Sequence, residues 1–220
     1  MIVNVNVKEI RSLTCFSYCV YHPFVQTLKE YKENKKISYK KTEMARYYKN
    51  FNPSNFSQVI TGTNEIIELI NINKFDFLYP WSKKKVTQKA EYNLNLKKHG
   101  SQHFGPVSDP KMKVEFSRLI NLYHSIKTNG YKPRSHALGY FLDDNNGNKV
   151  LILTAGHHRV PVMTMLGYKY IPIQLYNMPR TFVNLHEIDN WPFVINNFFK
   201  KETAKKIFYK FINDYRVNYK

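Results

Sequence analysis

A chain of 220 residues with 43% hydrophobic and 15% aromatic content can bury one substantial core, so one principal domain with extensions is expected. No apolar run approaches the roughly 20 residues of a membrane span, and Met1 to Val7 alternates too strictly with Asn to form a signal-peptide core. These features predict a soluble, cytoplasmic protein.

The formal net charge of +18 marks a basic protein and raises nucleic acid as a partner, because lysine-rich surfaces attract phosphate whatever the sequence. Lysines are spread through Lys29 to Lys41, Lys83 to Lys89 and Lys200 to Lys210 instead of being gathered on one recognition helix. That spread favours a generally basic, solvated surface, with nucleic acid as the alternative. The two cysteines, Cys15 and Cys19, lack a second Cys/His pair at metal-ligand spacing and read as buried structural thiols.

In chain order, Ile2 to Val7 alternates like a short strand. Cys15 to Lys32 has helical spacing, complicated by Pro23, and Tyr39 to Asn50 is a second helix that Asn52-Pro53 ends. Ser54 or Asn55 is placed to cap a third, and Thr63 to Ile70 suggests one more amphipathic segment. These elements predict a helical N-terminal extension over 1–80, followed by a linker over 81–102. Trp81, just after Tyr79-Pro80, is expected to dock that linker on the core.

The informative stretch, 103–178, opens on a turn-rich loop. A helix follows over Lys113 to Asn129, with Phe116, Leu119, Ile120, Tyr123 and Ile126 on one face and Gly130 as its left-handed stop. Ala137 to Leu142 and Lys149 to Leu153 form a hairpin around Asn146-Gly147. The second strand delivers Thr154-Ala155-Gly156 and then His157-His158-Arg159 at a helix start, running to Leu166 and Gly167. Unpaired N–H groups at such a start favour an anion, Gly156 permits its close approach, and Arg159 supplies a planar fork of donors. Pro161, about five positions into that helix, is expected to distort its first turn or to make it begin later. Tyr170 to Leu175 completes the unit. The remainder, 179–220, is read as a C-terminal extension with one amphipathic helix through Ala204, Ile207, Phe208, Phe211, Ile212 and Tyr215.

Four features in order carry a resemblance: the helix ending in Ser125-Ile126-Lys127-Thr128-Asn129-Gly130, the hairpin, Gly156-His157-His158-Arg159, and Leu166-Gly167-Tyr168-Lys169-Tyr170-Ile171-Pro172-Ile173. Together they resemble the ParB/sulfiredoxin superfamily over roughly a third of the chain. The implied fold is α+β, a ParB/sulfiredoxin-like small mixed sheet with flanking helices, here with a helical N-terminal lobe and a C-terminal helix. Sulfiredoxins carry a reactive cysteine where this chain has His157, which disfavours their repair chemistry. Partition proteins carry Gly-Glu-Arg-Arg and a following helix-turn-helix, which is not evident here. The Gly-His-His-Arg tetrad is similar to that of the free-serine kinases, although Ala155 stands where they have Asp.

The resemblance therefore implies a nucleotide-dependent phosphotransferase acting on a hydroxyl of a small metabolite or sugar, with a loose association of similar proteins with surface-polysaccharide metabolism. ATP, ADP or CTP would be the nucleotide, with Mg as an accompanying ion. Gly156, His157, His158 and Arg159 would hold the donor phosphates with help from Thr154, and His157 would also act in catalysis. Glu115 would orient the acceptor or magnesium, with Asp109 as the next carboxylate for a metal or acceptor. The alternative is a nucleotide- or nucleic-acid-binding module without turnover.

Overall fold

The computed structural model describes residues 1–132, 134–176, 181–213 and 215–216. The expected boundary between 178 and 179 lies outside them. The fold is α+β. Strand β1 (Ile2–Asn6) and strand β2 (Ile10–Arg11) open the chain, and helices α1 (Pro23–Glu33), α2 (Glu43–Asn50) and α3 (Phe56–Thr61) follow. A short ladder of β3 (Asp76–Phe77) and β4 (Val86–Thr87) and a single turn of helix, α4 (Leu96–His99), lead to the long helix α5 (Asp109–Asn129). Then come β5 (Ala137–Asp143), β6 (Lys149–Ala155), α6 (Arg159–Met165), β7 (Tyr170–Leu175), β8 (Phe182–Asn184), α7 (Pro192–Ile195) and α8 (Lys201–Ile212).

The main sheet is mixed, in the order β1-β7-β5-β6-β2. β5 lies at its centre, antiparallel to β6 on one side, while β7 and then β8 run parallel along its other side. Both outer positions on this path belong to the first eleven residues: β1 pairs antiparallel with β7 and β2 pairs parallel with β6. Only the 3-10 turn Val7–Glu9 separates them. Four flat interstrand spacings would span about 19 Å, whereas the chain from Asn6 to Ile10 reaches at most about 14 Å, so the sheet must be rolled. Residues 2–11, expected within a helical lobe, thus close the sheet.

Four consecutive residues of β6, Val150, Leu151, Ile152 and Leu153, are buried, so both faces of the strand are covered. α1 packs on α2 and α6, α5 packs on α6, and α8 packs on β6. Trp81 is buried as expected: it stacks on Tyr79 with ring centroids 5.4 Å apart, and its Nε1–H donates to Tyr140 Oη at 3.0 Å. The segment read as a linker is therefore anchored in the core.

Elsewhere local chemistry moves the expected boundaries. The first helix begins at Pro23 because His22 caps it, accepting from Phe24 N, and proline at the first helical position has no needed N–H to lose. Cys15 and Cys19 therefore precede the helix. Cys15 is buried, whereas Cys19 is exposed, contrary to the expected buried pair. Around Thr63 to Ile70 a single 3-10 turn, Ile67–Leu69, replaces the expected helix after Gly62 ends α3 at φ +87°. α5 starts earlier than expected, at Asp109, because Ser108 accepts from Lys111 N as its cap. Among the described residues no helix is long and apolar enough to cross a membrane.

Ile10 is fully buried on β2. Ile10→Ala is expected to lower stability by about 2–5 kcal/mol, read from the urea midpoint at unchanged slope. A change within about 0.5 kcal/mol would mean that β2 is not part of the core.

Candidate functional site

β6 ends at Thr154 and Ala155, and Gly156 turns the chain with φ +96°. A Cβ at Gly156 would lie 2.6 Å from Ala137 Cβ on the neighbouring strand, so both backbone sign and space demand glycine. Arg159 N–H and Val160 N–H donate to Gly156 O at 2.9 and 3.1 Å. Two of the N–H groups expected to face an anion are thus already bonded. Pro161 is the third residue of α6, inside the first turn where no intrahelical N–H bond is required, because the helix begins later, at Arg159, one of the two outcomes expected of this proline. Arg159 donates through Nη1 to Ser135 O, which leaves its other guanidinium N–H groups for a ligand.

His158 is buried and bonded through Nε2 to Glu115 Oε2 at 2.6 Å. Glu115 Oε1 lies 2.8 Å from Lys111 Nζ, one helical turn back on α5, and Lys111 is itself buried. Burial alone would raise the Glu115 carboxyl, but the His158 hydrogen bond and the charge of Lys111 outweigh it and hold the group at about 2. Burial lowers His158 despite Glu115. With Lys111 supplying the counter-charge, the consistent state is an ionised Glu115 accepting from a neutral His158 Nε2–H.

His157 places Nε2 3.2 Å from Thr154 O, so the carbonyl fixes Nε2 as the protonated nitrogen of the neutral ring. Its ring meets that of His103 edge-on, with centroids 4.6 Å apart. Burial, reinforced by His158, lowers His157 to about 4, and burial lowers His22 to about 3 and His103 well below its usual value. These rings present neutral imidazoles near pH 7. Thr154 Oγ1 is buried without a hydrogen-bond partner.

Two cavities meet at the tetrad. One, of about 910 Å³, runs along α5 past Lys113, Ser117, Asn121 and Ser125. The other, of about 440 Å³, is walled by Gln88, Glu91, Gln102, His103, Lys111 and Thr154 among others. Gly156, His157, His158, Arg159 and Arg118 border both. Among the described residues Glu91 is the only acidic side chain on either wall. Its Oε2 is 3.3 Å from Lys111 Nζ and 3.7 Å from Arg118 Nη1, and its Oε1 lies 3.5 Å from Gln102 Nε2.

The structure thus brings Thr154, Gly156, His157, His158 and Arg159 together, but assigns the two expected carboxylates elsewhere. Glu115 is 0% exposed and borders neither cavity, so it positions His158 and does not meet an acceptor or metal. Asp109 is at the exposed start of α5, bonded to Tyr39 Oη at 2.8 Å and Lys40 Nζ at 3.1 Å, and borders neither cavity. His124 bonds Tyr31 Oη at 2.8 Å. Lys111, Arg118 and Glu91 emerge from the structure as site residues. The four-residue spacing of Lys111 and Glu115 was a readable signal, whereas Glu91 lies in a segment with no periodicity. Among the described residues no group of three or more His, Cys, Asp or Glu is arranged to hold a metal ion. No family model, curated protein or solved structure matches this chain.

The lowered histidines set the pH dependence of stability. Unfolded imidazoles bind protons with pKa near 6.5, whereas His157 and His22 remain neutral in the fold down to about 4 and about 3. Acid therefore favours the unfolded chain, and stability is lost as pH falls from about 6.5 towards about 4, by up to about 1.4 kcal/mol per pH unit for each such group. Urea midpoints measured from pH 7.5 to 4.5 should fall monotonically, and a flat profile would contradict the burial of these rings. Glu115→Ala should cost about 3–5 kcal/mol, because it strands buried Lys111 and His158; calorimetry showing a near-neutral effect would refute the buried network.

Proposed function

We propose that this chain is a nucleotide-dependent phosphotransferase of ParB/sulfiredoxin-like type, acting on a hydroxyl of a small metabolite or sugar. The observation that carries the reading is the position of Gly156-His157-His158-Arg159 at the junction of the 910 Å³ and 440 Å³ cavities. A donor in the larger cavity and an acceptor in the smaller would meet at these residues. The order of helix α5, hairpin, tetrad and strand β7 further supports the superfamily reading.

Phosphoryl transfer needs positioned reactants and cations around the spreading negative charge. Arg159 and Arg118 border both cavities and Lys113 the larger, so cationic groups flank the junction. His157, with Nε2–H committed to Thr154 O, keeps an unprotonated Nδ1 and adds no positive charge near neutral pH. Glu115 holds His158 beneath the turn, so the turn is set before a ligand arrives. The walls do not fit a magnesium ion of their own: among the described residues no group of three or more His, Cys, Asp or Glu is arranged to hold one, and Glu91, the only acidic side chain on either wall, faces Lys111 and Arg118, so the ion would have to be carried on the donor phosphates. When bound there, magnesium would neutralise charge on the donor phosphates.

Thermal melts with ATP, ADP, CTP, GTP and AMP, with and without magnesium, test the reading. At about 100-fold excess over Kd a ligand adds about 2.7 kcal/mol, which for a chain of this size raises Tm by roughly 5–10 °C. Arg159→Ala should weaken that binding about 10- to 100-fold through loss of a charge-assisted contact. A folded protein that no nucleotide stabilises would refute the phosphotransferase reading.

A further inference from the structure

The smaller cavity differs chemically from the larger one, and the difference has a consequence for what fills it. Eight of its lining residues come from 86–103. Gln88 and Gln102 each offer a donor and an acceptor, matching hydroxyl groups, which also do both. Gln88 Oε1 accepts from Ser101 Oγ while its Nε2 is buried without a partner, as is Thr154 Oγ1. Phe77 and Leu96 add apolar surface of the kind that covers the C–H face of a ring.

The wall carries Lys89, Lys111, Arg118 and Arg159 against one carboxylate, Glu91, so its charge is only partly cancelled. Lys111 sits between Glu91 and Glu115, and Arg118 faces Glu91. The volume, about half that of the neighbouring cavity, suits a molecule smaller than a nucleotide.

We propose that this cavity is the acceptor subsite, that it takes a polyhydroxylated molecule of monosaccharide size, and that Glu91 is the catalytic base. The inference rests on the phosphotransferase reading and adds the acceptor class and the base to it. The acceptor hydroxyl oxygen attacks the terminal phosphorus of a nucleoside triphosphate or diphosphate. A new O–P bond forms as the bond from that phosphorus to the bridging oxygen breaks. The electron pair leaves on the nucleotide shortened by one phosphate, and the hydroxyl proton passes to the Glu91 carboxylate and then to water. Lys111 and Arg118 hold the carboxylate in place between turnovers.

The test uses the full chain, magnesium and whichever nucleotide raises its melting temperature, with D-glucose, D-mannose, D-ribose and L-serine as separate probes and phosphorus NMR as the readout. A phosphomonoester should form on a monosaccharide. Glu91→Gln should lower kcat by about 100-fold or more, the usual share of a general base, while nucleotide Kd stays at the parent value. Gln88→Leu and Gln102→Leu should each raise the sugar KM about tenfold, as expected for one lost hydrogen bond, with nucleotide Kd unchanged. Phosphorylation of L-serine and of no sugar would overturn the acceptor class, and parental kcat in Glu91→Gln would overturn the base. Nucleotide binding without transfer to any sugar overturns this inference alone, whereas absence of nucleotide binding overturns the phosphotransferase reading beneath it.

Discussion

A fully buried carboxylate has to be matched where it lies, and Glu115 is matched from two directions. His158 Nε2 is 2.6 Å from one oxygen and Lys111 Nζ 2.8 Å from the other. Removing an ion from water costs several kcal/mol unless such partners replace the lost hydration. Only a fold that sets α5 against the turn before α6 supplies both. Lys111 then reaches Glu91 Oε2 at 3.3 Å, which ties the segment over 86–102 to the same point. One buried charge thereby joins three stretches of chain that are far apart in sequence, and the two cavities exist in the spaces between them.

The same burial governs the protonation of the site. His103 and His157 meet at 4.6 Å, too close for both to be charged without strong repulsion, and each is lowered first by desolvation. The tetrad thus offers directional hydrogen-bonding groups near neutral pH, while fixed positive charge comes from Arg159, Arg118 and Lys113. Burial that makes the imidazoles neutral also makes the fold sensitive to acid, so one cause produces both the electrostatic character of the site and its limit.

Much of the scaffold was legible because its signals are local. The hairpin over Ala137–Asp143 and Lys149–Ala155, the strand Tyr170–Leu175 and the end of α5 at Asn129 follow from alternation, helical spacing and turn residues. Pro161 was readable as delaying the start of α6: with Arg159 as the first helical residue after the Gly156 turn, proline falls where its missing N–H costs nothing. Residues 2–6 were readable as a strand, but their pairing with β7 across more than 160 residues of sequence leaves no local trace. Glu115 was identifiable as an acid near the tetrad, whereas its burial depends on Lys111 and His158 closing around it, which periodicity alone does not encode. Glu91 carried no signal, since its significance arises wholly from where a non-repetitive segment is laid down.

That contrast separates what holds the tetrad from what would select a substrate. Gly156, His158, Glu115 and Lys111 sit on or beside regular elements, and the Glu115 charge is buried and paired with Lys111 and His158. Gln88, Glu91 and Gln102 lie outside helices and strands, on a segment fixed at its borders by the β3–β4 ladder and by Tyr48 Oη donating to Gln102 O at 3.0 Å. A rigid turn that grips a phosphate can serve many acceptors, because the phosphate is common to them. Discrimination must come from groups that contact the variable part of the ligand, and here those groups are carried by a segment whose length and composition can change without disturbing the core. On the proposed reading, the donor side would be constrained by folding and the acceptor side in good part by residues 86–103.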